Sequence, residues 1–116
     1  MTTTVNFLVL YNNVDWHRVV TLTDGAGDPV DISTATFFME VRPSLGGDPV
    51  LDLALGSGFS LFTNGADGKL LLHVDHLLME AVTPGGYKYD LVMVRSGVSE
   101  IVMRGTIKVK AGVTDL

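Results

Sequence analysis

Three imidazoles, His17, His73 and His76, are the side chains of this sequence best suited to metal binding or proton transfer. Two residues separate His73 from His76, and one of them is Asp75. A zinc site needs three or four convergent ligands, and no HExxH or similar spacing supplies them. A structural or solvated role is therefore the expectation for all three histidines. Asp24, Asp28 and Asp31 crowd one short segment. A calcium loop spaces its ligands more closely and closes on a bidentate glutamate, which this segment lacks. Aspartate beside glycine and proline is ordinary turn chemistry, so a polar turn is expected there.

Nucleophiles are no better placed. None of Ser33, Ser44, Ser57, Ser60, Ser96 and Ser99 sits in a GxSxG elbow, and Gly56-Ser57-Gly58 lacks both the spacing and the following helix. Gly46-Gly47 and Gly85-Gly86 are not followed by the Lys-Ser/Thr pair or helix of a phosphate cradle. Cysteine is absent, which removes thiolate ligands, thiol nucleophiles and disulfides together. Carboxylate pairs occur, but no pocket signal divides them into acid and base. The expectation is a protein that is not an enzyme, with no catalytic residues, no cofactor and no metal.

The elements that carry these residues read as β-strands. Short alternating runs are separated by turn residues at the spacing of a sandwich or barrel. The spacing predicts strands over 4–10, 15–23, 34–42, 50–55, 59–62, 69–74, 87–95 and 100–110. One helical turn is predicted over 75–82, capped by Asp75 and stopped by Pro84-Gly85-Gly86, with Leu77, Leu78 and Val82 at helical spacing. Asn64-Gly65-Ala66-Asp67-Gly68 and Ser96-Gly97 are the predicted hairpin turns, and residues 112–116 a loose tail. Short connections throughout favour antiparallel pairing. The predicted fold is one all-β domain over residues 1–116, an antiparallel immunoglobulin-like β-sandwich with one short helix. Its predicted core includes Phe37, Met39, Tyr89, Leu91, Ile101 and Ile107.

A chain of 116 residues has room for one such domain and can bury a core without staples. With 8 basic and 13 acidic side chains and a net charge of -5, it has no basic stripe for nucleic acid or an anionic membrane. No segment approaches the ~20 unbroken apolar residues of a membrane helix. Met1-Thr2-Thr3-Thr4 puts no basic region ahead of an apolar run, so no signal peptide is expected and the chain stays where it is made.

The aromatic and apolar residues are more informative. Phe37, Tyr87 and Tyr89 read as core or cross-strand packing. Phe38 lies on the opposite face from Phe37, beside Thr36 and Glu40, where a solvated face should be polar. Val92 and Val94 do the same against Leu91 and Met93, and Val102 against Ile101 and Met103. With an apolar fraction of 47%, such two-faced strands imply an outer face covered by another chain. Trp16, Phe38 and the loop residue Leu45 are the expected contact residues, as exposed aromatic and apolar anchors. Trp16 with His17 is also the one candidate platform for the rival reading, a carbohydrate- or receptor-binding module.

An ordered set of motifs spans nearly the whole chain. Asp24-Gly25-Ala26-Gly27-Asp28-Pro29-Val30-Asp31-Ile32-Ser33-Thr34-Ala35 leads into Phe38-Met39-Glu40-Val41-Arg42. Gly68-Lys69-Leu70, Leu77-Leu78, Gly86-Tyr87-Lys88-Tyr89-Asp90-Leu91, Arg104-Gly105-Thr106-Ile107-Lys108-Val109 and Val113-Thr114 follow. In this order the motifs resemble small phage and prophage structural domains, similar to the N-terminal domain of phage baseplate upper proteins. The resemblance implies an immunoglobulin-like virion building block with no catalytic residues to carry over. In contrast to those baseplate proteins, no coiled coil or receptor-binding part is expected to follow the domain. The expectation is thus a free-standing component of tail, baseplate, connector or capsid surface. It would be made in the host cytoplasm, assemble as a homo-oligomer, and contact copies of itself and other phage structural proteins.

Overall fold

Residues 36–42 show how the strands form. Phe37, Met39 and Val41 alternate with Thr36, Phe38, Glu40 and Arg42, and a period of two puts each set on its own face of an extended chain. In the computed structural model, which describes residues 9–62 and 64–115, the first set is buried and the second half-buried or exposed. The same rule builds eight strands among the described residues. They are β1 (Val9–Tyr11), β2 (Trp16–Thr21), β3 (Thr36–Arg42), β4 (Leu51–Leu55), β5 (Gly58–Leu61), β6 (Lys69–Val74), β7 (Gly85–Arg95) and β8 (Val98–Lys110). A single helical turn, α1 (His76–Met79), lies between β6 and β7. The all-β class is as the sequence predicts. The first predicted strand reaches into residues 4–8, which lie outside the described residues, as does Leu116 of the tail.

The strands form one sheet in the order β1-β8-β7-β3-β4-β5-β6-β2. Pairing is antiparallel except at β1–β8 and β4–β5, two departures from the all-antiparallel expectation. The β4–β5 link is only two residue pairs long, Ala54 opposite Gly58 and Leu55 opposite Phe59. It joins a five-stranded part (β1-β8-β7-β3-β4) to a three-stranded part (β5-β6-β2). The two outermost strands, β1 and β2, are joined by residues 12–15 alone. Such a link spans no more than about 18 Å. The sheet must therefore curl until its edges approach, which makes it nearly a barrel.

One core fills the inside of this curl. β3 contributes Phe37, Met39 and Val41, β7 contributes Tyr87, Tyr89, Leu91 and Met93, and β6 contributes Leu70, Leu72 and Val74. β2 adds Trp16 and Val20, and β8 adds Val102, Met103, Ile107 and Val109. Five of the six predicted core residues are buried, and Ile101 is the exception.

Ile101 is 50% exposed and Val102 is 0% exposed, the reverse of the expectation for both. The cause is a β-bulge. Leu91 pairs with Met103, but Val92 pairs with Ile101, so Val102 is an extra residue in β8. One inserted residue reverses the side-chain alternation beyond it. Counting back in twos from the buried Ile107 reaches Ile101, and the bulge turns that residue outward.

Turn chemistry holds where it was legible. Ser96 (φ 54°) and Gly97 (φ 76°) form a two-residue turn joining β7 and β8, and positive φ at both positions is what a type I′ hairpin requires. Asp75 caps α1, accepting the Leu77 N–H at 2.9 Å. The helix is shorter than predicted and turns Met79 inward, with Val82 buried just beyond it, while Leu77 and Leu78 face solvent.

Candidate functional site

Two features stand out, and they lie on different parts of the sheet. The first is built on the three-stranded part. The β2–β6 register sets Trp16 opposite Val74 and His17 opposite His73. One residue further along, Asp15 at the end of the β1–β2 link meets the junction of β6 and α1. Its Oδ2 lies 2.9 Å from His73 Nε2, and its Oδ1 lies 3.2 Å from His76 Nδ1. The same Oδ1 accepts the His76 backbone N–H at 2.7 Å. Asp75 Oδ1 is 3.4 Å from His76 Nδ1. The His17 and His73 rings meet edge to face, with centroids 6.4 Å apart. Two of the three histidines, His73 and His76, thus meet at one carboxylate, and His17 packs against His73.

The electrostatics follow from this geometry. The His73 side chain, then the His76 backbone N–H, stabilise ionised Asp15 and lower its pKa from 3.8 to about 2. A depressed carboxylate pKa contributes stability that is complete above the unfolded-state value near 4 and is lost as pH falls through the folded value. The Asp15 contribution should therefore disappear between about pH 4 and pH 2. Asp15→Asn should flatten the acid limb of the melting temperature in that window. An identical acid limb in wild type and variant would contradict the assignment.

Asp15 entered the sequence reading only as the first residue of a predicted strand. The one signal that finds it is the pairing of β2 with β6, which matches Trp16 and Val20 to Val74 and Leu70. Those strands are some fifty residues apart in the chain, so the partnership is not visible in local pattern. Chemically, the cluster is a set of carboxylate–imidazole pairs that can hold a proton or a cation. It borders an open depression lined by Val14, Asp15, His17, Leu71 and His73.

The second feature is the outer face of the five-stranded part. Cross-strand register aligns Ala54, Phe38, Val92 and Ile101 in one row over β4, β3, β7 and β8. Phe38 is 47% exposed, and Val92 and Ala54 are half-buried beside it. The next row holds Asp52, Glu40, Asp90 and Arg104. Like charges directly opposite one another destabilise a sheet, and here Arg104 within the row, with Arg42 paired to Glu40 and Lys88 opposite Arg42 beside it, offset three adjacent carboxylates. Arg42 also donates to the Gly47 carbonyl, which ties the 43–48 loop to this face. Leu45, at the tip of that loop, is 84% exposed and borders the same charged row with Glu40, Lys88 and Asp90.

Of the three expected contact residues, Phe38 and Leu45 share this outer face. Trp16 does not, and its reading as an exposed anchor is corrected. It is 5% exposed, because β2 turns it with Val20 into the core. This also removes the aromatic platform that the carbohydrate-binding reading required. Among the described residues, no helix is long and apolar enough to cross a membrane. No protein-family model matches this sequence, and no curated protein matches it either.

Proposed function

We propose that this chain is a non-catalytic structural component of a bacteriophage particle, of the tail, baseplate, connector or capsid surface. It works by docking its outer sheet face on copies of itself or on neighbouring particle proteins. The observation that carries this reading is the apolar row Ala54–Phe38–Val92–Ile101 on a face that a two-layer fold has no internal reason to make apolar. The acidic row beside it matches a partner surface that is apolar at its centre and basic along one side. The motif order of the sequence supports the phage setting. The finer fold reading belongs to the same proposal: an immunoglobulin-like sandwich, with the five- and three-stranded parts as its layers around the shared core.

Mass spectrometry of purified phage particles from the strain that encodes the chain tests this. Wild-type chain should be present in stoichiometric amount. Phe38→Asp should fold normally in isolation yet be depleted from the particles. Absence of the wild-type chain from particles would overturn the phage reading. Normal incorporation of Phe38→Asp would overturn the outer-face reading.

A further inference from the structure

We propose that Asp15, Asp75 and His76 form a binding site for one divalent transition-metal ion, with zinc(II) the best match to the ligand set. The donor atoms of the three residues lie within 4.8 Å of one another. His76 Nδ1 is 3.2 Å from Asp15 Oδ1 and 3.4 Å from Asp75 Oδ1. Bonds of about 2.0–2.1 Å at tetrahedral angles place neighbouring ligands about 3.3 Å apart, so both separations suit edges of one coordination polyhedron.

Both carboxylates are held in place before any ion arrives. Asp15 accepts the His76 backbone N–H and Asp75 the Leu77 N–H, and each carboxylate keeps further lone pairs. His73 Nε2, on the second oxygen of Asp15, orients that ligand from behind, as outer hydrogen bonds do at metal sites. An imidazole nitrogen beside two carboxylates favours zinc over magnesium or calcium, which take oxygen ligands alone. Asp15 and Asp75 are exposed and His76 half-buried, so water can complete the coordination. The bound ion would fasten the link between the two outermost strands to the β6–α1 corner. This inference is independent of the outer-face reading.

Calorimetric titration of the chelator-treated full chain with zinc chloride tests it, together with thermal melts. The expected result is saturable binding of one ion per chain and a higher melting temperature with zinc. Asp75→Asn and His76→Gln should each weaken binding at least about tenfold. Asn caps a helix as well as Asp, so Asp75→Asn should melt like wild type without metal. His17→Gln, which removes no ligand, should bind as wild type does. No saturable binding by wild type overturns the proposal, and so does undiminished binding in both ligand variants.

Discussion

Phe37→Ala should lower the unfolding free energy by about 3–5 kcal/mol, the range for truncating a buried phenylalanine. Phe38→Ala, one residue away in β3, should cost no more than about 1 kcal/mol. Phe37 lies at the centre of the core, opposite Met93, with no exposed surface. Its loss removes apolar burial and leaves a cavity that rigid neighbours on β7 only partly fill. Phe38 pairs with Val92 and Ala54 on the outer face and keeps nearly half its surface in water. Denaturant unfolding of the two variants measures the contrast. Equal losses would mean that both faces of β3 are packed within the monomer and that no apolar surface is left over for a partner.

The second large effect comes from the bulge in β8. Val102→Asp should prevent stable folding, since an unpaired carboxylate at a fully buried position costs several kcal/mol out of a total stability of about 5–15 kcal/mol. Ile101→Asp should leave the fold intact, with a melting temperature close to wild type. The order is the reverse of what strict alternation predicts. Circular dichroism melts of the two variants decide between them, and a stable Val102→Asp beside an unfolded Ile101→Asp would restore the unbulged register.

The same strand shows where the sequence is readable and where it stops. All eight strands are signalled by local alternation and turn residues, because each depends only on neighbours within a few positions. The Asp75 cap and the Ser96-Gly97 hairpin are legible for the same reason. The bulge is not: Ile101-Val102-Met103 contains no glycine or proline to mark an inserted residue, and all three side chains are apolar. Trp16 was misplaced for a related reason. Its strand sets Trp16, Arg18 and Val20 on one side, a mixed face that does not declare which way it points. The Asp15 cluster and the apolar row both depend on strand pairing. β2 meets β6, and β3 sits between β4 and β7, and these choices are made by long-range packing. Phe38 and Val92 are legible, as apolar side chains on the face opposite their core-facing neighbours.

We propose that the outer face is the contact surface of an assembled particle. Hydroxyl-radical footprinting of the free chain and of purified particles tests it residue by residue. Phe38, Leu45 and Ile101 are exposed in the free chain and should be labelled readily. In the particle their labelling should fall severalfold, while Leu77, exposed on α1, keeps its reactivity. Labelling of Phe38 and Ile101 that is as strong in the particle as in the free chain would contradict the account.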